Sequence, residues 1–304
     1  MRNRHTLIRV SLIRVAEIRV TAATLVCMSL FAITSCYGSW NFFYKGNDVD
    51  ERTKSLTILS DRDEDFEKSG ISMLGGKYTV LVMTDLHFGN EKKKVETEKL
   101  YNWLTQLKGS ENFPAFALSL GDSVDMGFLS EYKEYISFCN KLQNDYGIKL
   151  VLNSCGNHDI YQNNWDNWEN YCYPHTSFYK FQTEKFSWYS LDTASGTVGA
   201  QQYKYLKNDF SHDNRRKIIF THYPFIHFNP NCANMAETTE RNKLISDFMK
   251  NDVICVLGGH NHRRFYEDVG FKDYGIESFG YSGVWGLLHV DENEGTAWLE
   301  YIGG

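Results

Sequence analysis

Short apolar runs alternate with amphipathic segments through most of this chain. Residues 78–83 are almost continuously apolar, as expected of a strand that is buried on both faces of a sheet. Similar patterns predict further strands at 116–120, 149–152, within 177–192, at 217–220 and at 253–257. Apolar residues at helical spacing predict helices at 92–108, 129–145, 199–210 and 236–250. This alternation of strand and helix favours an α/β fold with sheets of mixed character.

Two regions interrupt the alternation. Residues 160–176 are rich in Trp, Tyr and Asn, and we expect a loop there. Residues 263–302 are predicted to form several strands with no helix between them. The C-terminal part therefore departs from the pattern of the preceding body.

The N-terminus has the character of an export signal. An arginine-containing stretch precedes an apolar run at 20–34, which is shorter than the roughly 20 residues that a membrane-spanning helix needs. The run ends in Ile33-Thr34-Ser35-Cys36, which resembles a bacterial lipobox. We therefore expect a lipoprotein signal peptide at 1–35 and a lipidated tether with an N-terminal segment at 36–77. An ordinary cleaved secretory signal is the alternative, and both place the protein outside the cytoplasm.

Charge and cysteine content narrow the class of protein. The net charge is −6, and without residues 1–35 it becomes −10, which disfavours duplex nucleic acid as a partner. Seven cysteines are present without a C-x-x-C pair, which excludes zinc-ribbon and thioredoxin sites. We expect attachment to a bacterial membrane, on its periplasmic or surface side, through lipidated Cys36.

Residues able to bind metal ions follow five of the predicted strands. They form the groups Asp85-Leu86-His87, Gly121-Asp122-Ser123-Val124-Asp125, Gly156-Asn157-His158-Asp159, Thr221-His222-Tyr223 and Gly259-His260-Asn261-His262. Asp85 and His87 are two residues apart, so in an extended chain their side chains would point the same way, and His260 and His262 share that spacing. Ligands of α/β sheets collect at the carboxyl ends of strands. Imidazole, carboxylate and carboxamide without thiolate suit Mn, Fe, Zn or Co rather than a structural zinc cage.

A single Asp-x-His or Gly-Asn-His-Asp is more often a turn or a helix cap than a metal site. The five groups in their order, however, resemble the signature of the calcineurin-like metallophosphoesterase superfamily, D-x-H, G-D-x-x-D, G-N-H-D/E, H, G-H-x-H. The resemblance covers about residues 78–265. It implies a catalytic domain at 78–304 with a four-layer αββα sandwich of two mixed β-sheets flanked by helices.

The resemblance also implies two divalent metal ions and a role for each motif residue. One ion would be held by Asp85, His87, Asp122 and His262, and the other by Asp122, Asn157, His222 and His260. His158 would act on the leaving group, with Asp159 orienting it. Asp125 would support the turn rather than bind a metal.

The implied reaction is hydrolysis of a small phosphodiester or phosphomonoester by a metal-bridging hydroxide. Two divalent ions, two carboxylates and one hydroxide leave a charge of about +1, which favours an anionic ester and slightly favours a diester. Met126 occupies the position of a phosphate-binding Arg in Ser/Thr protein phosphatases, and Asp125 that of a metal-bound Tyr in purple acid phosphatases, so neither branch fits. The alternative is an exported metal-containing binding or receptor protein on the same fold without turnover.

The aromatic residues that follow His158 suggest a second hypothesis. Tyr161, Trp165 and Trp168, with the aromatic residues up to 175, would form a lid that stacks a nucleobase. Ordinary packing of these rings in the core is the alternative. Arg263 and Arg264 would clamp a distal phosphate or lie in solvent at a strand end.

Overall fold

The computed structural model describes residues 49–61, 63–90, 97–226, 235 and 238–304. The strands are β1 (Thr57–Ile58), β2 (Lys77–Met83), β3 (Pro114–Ser119), β4 (Val151–Asn153), β5 (Tyr179–Gln182), β6 (Phe186–Leu191), β7 (Arg216–Thr221), β8 (Val253–Gly258), β9 (Phe265–Asp268), β10 (Lys272–Gly275), β11 (Val284–Asp291) and β12 (Thr296–Gly303). The helices are α1 (Val49–Arg52), α2 (Glu64–Ser69), α3 (Thr97–Leu107), α4 (Leu129–Asn144), α5 (Trp165–Tyr171), α6 (Gly199–Phe210), α7 (Thr238–Lys250) and α8 (Phe279–Ser282). Short 3-10 segments lie at Leu59–Asp61, Ile71–Met73 and His158–Asn163. The signal peptide predicted at 1–35 and Cys36 lie outside the described residues.

The strands form two sheets. One has five strands in the order β12-β11-β2-β3-β4, in which β2, β3 and β4 are parallel. The other has seven strands in the order β1-β5-β6-β7-β8-β10-β9, in which β6, β7, β8 and β10 are parallel. Both sheets also contain antiparallel pairs, such as β11 with β2 and β5 with β6. The parallel strands at the centre of each sheet therefore bring several loops to one edge.

The sheets pack face to face across a common core. Apolar side chains of both sheets meet there, among them Val80, Phe116, Trp188 and Phe220. Leu100 of α3 and Tyr135 of α4 cover the outer face of the five-stranded sheet, while helices α6 and α7 cover that of the other. The layers are thus helix, sheet, sheet and helix, and the predicted αββα sandwich is confirmed.

The predicted elements of the body correspond closely to the observed ones, with two exceptions. Helix α5 lies within the expected loop at 160–176, because Trp168 is fully buried against the helical layer and anchors a turn there. Helix α8 interrupts the expected run of strands at 263–302, because the Ser278 hydroxyl accepts the backbone N–H of Tyr281 and buried Phe279 fixes the turn. Helices of only one or two turns have too short a pattern to be recognised from hydrophobic spacing.

Residues 49–77 pack on the sandwich. Strand β1 pairs with β5, and Phe66 and Ile71 are completely buried in the core between the sheets. The guanidinium of Arg52 is buried and contacts both carboxylate oxygens of Asp192, with distances of 2.7 and 2.9 Å. None of the helices in the described residues is long and apolar enough to cross a bilayer.

Candidate metal centre

The residues of the five motifs lie in the loops that leave β2, β3, β4, β7 and β8 at the shared edge of the sheets. Five of the non-glycine residues among them have left-handed backbone conformations: Asp85 (φ 52), His87 (φ 51), Asp122 (φ 51), His260 (φ 66) and His262 (φ 51). The expectation that Asp85 and His87 lie in an extended chain is therefore wrong, and the same holds for the second pair. The loops after β2, β3 and β8 turn sharply at these residues instead of alternating them along a strand.

Two glycines allow the loops after β3 and β4 to touch through their backbones. A Cβ on Gly121, which has a φ of +95°, would lie 2.7 Å from the Gly156 nitrogen. A Cβ on Gly156 would lie 2.2 Å from the Asp122 nitrogen. Both distances are shorter than a side chain tolerates, so only glycine permits this approach. The two glycines thereby bring Asp122 beside Asn157 and His158.

The first group of side chains consists of Asp85, His87 and His262, whose ligand atoms lie within 4.8 Å of one another. The Nε2 atoms of His87 and His262 are 3.3 Å apart. Asp85 Oδ2 accepts the Thr84 hydroxyl at 2.6 Å and the His260 backbone N–H at 2.9 Å. Its other oxygen, Oδ1, is buried. It lies 3.0 Å from His262 Nε2, but the two atoms do not have the geometry of a hydrogen bond. A buried carboxylate oxygen facing two imidazole nitrogens fits a divalent cation.

The second group consists of Asp122, His222 and His260, which also lie within 4.8 Å of one another. Nε2 of His222 is 3.1 Å from Asp122 Oδ2, 3.1 Å from Asn157 Oδ1 and 3.2 Å from His260 Nδ1. The Leu120 carbonyl oxygen accepts a hydrogen bond from His222 Nδ1–H at 3.0 Å, which leaves Nε2 available to bind a metal ion. One carboxylate, one amide oxygen and two imidazoles again suit a divalent cation.

The pKa values of this second group show that its buried carboxylates favour a positive charge beside them. Burial lowers the pKa of His222, but the carboxylates of Asp122 and Asp85 outweigh burial and raise it to about 9. Burial raises the pKa of Asp122, but His222, His158 and His87 together lower it by more, so that the carboxyl stays ionised. Burial and His222 together lower the pKa of His260 to about 4. Without a metal ion, one proton on His222 would be the cation that Asp122 requires.

His158 lies next to both groups, but its orienting partner differs from the expected one. Its backbone N–H donates to Asp122 Oδ1 at 2.8 Å, and its Nδ1–H donates to the Asp125 carbonyl at 2.6 Å. The carboxylate of Asp159 instead accepts the backbone N–H groups of Gly156 and Val124, at 2.8 and 3.2 Å. The expectation that Asp159 orients His158 is therefore corrected. Asp159 joins the two loops, because as a buried carboxylate it needs the nearest backbone donors.

Asp125 is closer to the centre than the sequence suggested. Its Oδ1 lies 3.2 Å from His87 Nδ1 and accepts the Asn90 amide at 3.1 Å. It therefore lies beside His87, whose Nδ1 makes no hydrogen bond within the described residues, and it orients His158 through its carbonyl. The expectation that Asp125 supports the site without coordinating a metal remains a prediction.

Three tyrosines surround the centre. Tyr161 was expected from the sequence as part of a nucleobase lid, but Tyr223 and Tyr281 were not considered as site residues. The Tyr161 ring lies 4.4 Å from that of His158, and the Tyr223 ring stacks on His260 at 3.7 Å. Tyr281 of α8 lies 5.2 Å from His87 and 4.8 Å from His262, measured between ring centroids. Tyr223 directly follows His222 and could have been noticed, whereas nothing in the sequence around Tyr281 indicates the site.

The other aromatic and basic candidates lie elsewhere. Trp165 stacks on the buried Trp168 at 5.1 Å and belongs to the helical core, so packing explains most of the aromatic stretch. Arg264 forms an ion pair with Glu277 at 3.4 Å and lies over the ring of Tyr301, while Arg263 is exposed. The structure therefore does not bring Trp165 or Arg264 to the centre.

This fold and this set of ligands agree with the comparisons with known proteins. A family model described as calcineurin-like phosphoesterase matches residues 78–264, and the chain belongs to that family. It is therefore a metal-dependent phosphoesterase, a hydrolase acting on ester bonds. No curated protein sequence matches the chain.

Two solved structures share the fold. A dimetal phosphatase from Danio rerio is similar with a TM-score of 0.58 and 12% identity, over 74% of this chain and 96% of that chain. GAP50, the anchor in the inner membrane complex of Plasmodium, is similar with a TM-score of 0.55 and 10% identity, over 75% of this chain and 85% of that chain. At such low identity, both likenesses concern the fold alone.

Proposed function

We propose that this chain hydrolyses a small phosphoester, with a preference for diesters, at a centre of two divalent metal ions. One observation carries the proposal: of three groups of convergent ligand atoms in the described residues, two consist of the predicted metal ligands and lie at the same edge of the sheets, and the third contains His158 with His87 and Asp125. Asp85, His87 and His262 would hold one ion, and Asn157, His222 and His260 the other. Asp122 would contribute to both, as the resemblance to the family implies.

Bound at these positions, two divalent ions would supply a hydroxide nucleophile at neutral pH and stabilise charge on the phosphoryl oxygens. The protein side chains would orient the ester and handle the proton. His158 Nδ1–H is fixed on the Asp125 carbonyl, so Nε2 is the nitrogen that can donate a proton to the leaving oxygen. General acid catalysis of this kind is worth about 10²–10⁴ in rate.

The charge of the site supports the preference for a diester. The arithmetic from the sequence leaves about +1 for two ions, Asp85, Asp122 and a hydroxide. Asp125, whose carboxylate lies 3.2 Å from His87, brings the sum close to zero. A cationic site attracts a dianionic monoester more strongly than a monoanionic diester. In a nearly neutral site this advantage of the monoester is smaller.

The test uses the full-length chain, purified without chelator. Bound metal is counted by elemental analysis, and hydrolysis of bis-nitrophenyl phosphate is compared with that of nitrophenyl phosphate with added Mn²⁺. We expect about two ions per chain and a higher kcat/KM for the diester. A chelator should abolish turnover, and Mn²⁺ should restore it.

His212→Ala is a suitable control, because His212 is an exposed histidine bonded only to its own helix end. It should keep both metal content and turnover, whereas Asp122→Asn should lose both. A higher kcat/KM for the monoester would contradict the diester preference. Failure to bind metal would contradict the proposed centre.

The alternative is a receptor or anchor on the same fold without turnover. It is favoured by one observation, that GAP50, described as an anchor, shares this architecture. Two bound ions with no hydrolysis of either ester would support it. The presence of His158 beside both ligand groups favours the enzyme, because a receptor has no use for a proton donor there.

We further propose that the protein is exported and anchored in a bacterial membrane through lipidated Cys36. The support is the apolar run at 20–34 followed by the lipobox-like Ile33-Thr34-Ser35-Cys36. Cys36→Ser should end incorporation of labelled fatty acid and release the protein from membranes. Cys27→Ser, a cysteine within the apolar run, is the matched control and should retain both. A wild-type protein that takes up no label would instead have an ordinary cleaved signal.

A further inference from the structure

Four rings form a row across the mouth of the centre. The centroids of Tyr161 and His158 are 4.4 Å apart, those of His158 and His87 4.6 Å, and those of His87 and Tyr281 5.2 Å. The two tyrosines are at opposite ends of this row, and they are 37% and 40% exposed. His158, the histidine assigned to the leaving group, has two neighbours in this row. Of these, the Tyr161 ring is accessible to solvent, whereas His87 is buried.

The position of Tyr161 is fixed by its surroundings. The chain turns sharply after it, with Gln162 and Asn163 both left-handed at φ 57 and 62. Its carbonyl oxygen packs on Gly127, where an added Cβ would lie 3.2 Å away. Its hydroxyl accepts a hydrogen bond from Asn157 Nδ2 at 3.2 Å. That bond turns the amide of Asn157 so that Oδ1 faces His222, and it holds the ring against His158.

We propose that Tyr161 forms a subsite for a planar leaving group, so that the preferred substrates are aryl phosphodiesters. The inference rests on the proposed function, because His158 defines where the leaving group lies. A planar group bonded to the oxygen that receives the proton of His158 would lie against the exposed part of the Tyr161 ring. An aliphatic group at the same place would lose the stacking contact.

The effect expected from one aromatic pair is a preference of about three- to tenfold. The test compares methyl phenyl phosphate with methyl hexafluoroisopropyl phosphate, two diesters with leaving groups of similar acidity, one planar and one not. The ratio of their kcat/KM values is measured for the full-length chain with Mn²⁺. Because the ratio is taken within each variant, a loss of activity that affects both esters equally does not change it. Weaker metal binding would cause such a loss.

Tyr161→Leu should abolish the preference for the phenyl ester, and Tyr161→Phe should retain it, because the ring remains. Tyr281→Leu is the matched control, since Tyr281 is equally exposed but lies at the far end of the row. It should leave the ratio unchanged. An unchanged ratio in Tyr161→Leu, or a loss in Tyr281→Leu alone, would overturn the assignment.

A binding measurement separates this inference from the proposed reaction. Phenylphosphonate and tert-butylphosphonate are titrated calorimetrically into the Mn²⁺-loaded wild type and Tyr161→Leu. Tighter binding of phenylphosphonate by the wild type alone would support the subsite even if no ester is hydrolysed. Equal affinities of the wild type for the two phosphonates would refute it, whatever the turnover.

Discussion

Backbone strain at single residues is concentrated in the metal centre. Asp85, His87 and Asp122 adopt left-handed conformations that cost of order 1–3 kcal/mol each for such residues. Backbone hydrogen bonds between loops maintain them: Asp85 N–H donates to Gly121 O at 3.0 Å, and His87 N–H to Asp122 O at 3.0 Å. The ligands are therefore held in position by the loops, and metal binding need not order them.

At the same scale, Asp122 and His158 should differ in how much activity they control. Asp122 belongs to the second ligand group, and it also accepts the backbone N–H of His158. Asp122→Asn should therefore remove the metal and bring turnover below detection. His158→Ala should lower kcat by about 10²–10⁴ and leave measurable activity with normal metal content. Single-turnover kinetics and elemental analysis of both variants test this. Similar, mild losses from both would contradict the roles assigned to them.

The helix α8 is an element whose position depends on one glycine. Gly280 N–H donates to the Asp85 carbonyl at 3.1 Å, and a Cβ at this position would lie 2.2 Å from the Leu86 carbonyl oxygen. Gly280→Ala should therefore push α8 away from the Asp85 loop. We expect destabilisation by about 1–3 kcal/mol and reduced metal affinity, measured by urea unfolding and metal titration.

Gly258→Ala provides the comparison for this prediction. An added Cβ there would meet Pro224 at 3.4 Å, an ordinary contact distance. This variant should keep its stability and its metal affinity. Equal behaviour of the two variants would show that the close approach of α8 does not constrain the site.

Strand β10 carries a buried carboxyl group that makes stability depend on pH. Asp273 Oδ2 accepts the Ile226 backbone N–H at 3.1 Å, and its other oxygen is buried without a hydrogen-bond partner among the described residues. Burial raises the pKa of Asp273 to about 8. The folded state thus holds this proton more tightly than the unfolded state, whose pKa is about 3.9. The resulting stability is lost as the pH rises towards 8.

Asp273→Asn should remove this dependence, because the amide stays neutral. The melting temperature of the wild type should fall between pH 6 and pH 9 by more than that of the variant. Differential scanning fluorimetry at several pH values measures both. Parallel curves for the two proteins would mean that Asp273 is ionised in the folded state at neutral pH.

At the scale of the whole molecule, the ion pair of Arg52 and Asp192 links residues 49–77 to the sandwich. Both side chains are buried, and Asp192 also accepts the Ser177 hydroxyl at 2.7 Å. Asp192→Ala should cost about 3–5 kcal/mol, because it leaves a buried guanidinium without its carboxylate. Replacing both residues, as in Arg52→Met with Asp192→Leu, should recover much of that loss. Urea unfolding of the two variants compares them, and equal losses would indicate that the pair itself stabilises the fold.

The sequence by itself determined the order of most strands and of the longer helices between residues 78 and 258, and it determined the residues that could bind metal. Both are local properties: hydrophobic periodicity is set by neighbours along the chain, and each ligand motif directly follows a strand. Helix α6, predicted at 199–210, begins and ends at those residues. The assignment of each ligand to an ion remains a prediction.

Only the tertiary structure decided how the loops meet. The carbonyl of Asp125, rather than the carboxylate of Asp159, orients His158, and Tyr281 reaches His87 from the far end of the chain. Residues 49–77 contribute buried side chains to the same core. Such contacts depend on left-handed turns and on elements brought together by sheet pairing between distant strands. Neither leaves a periodic pattern in the sequence, because the side chains involved are neighbours only after folding.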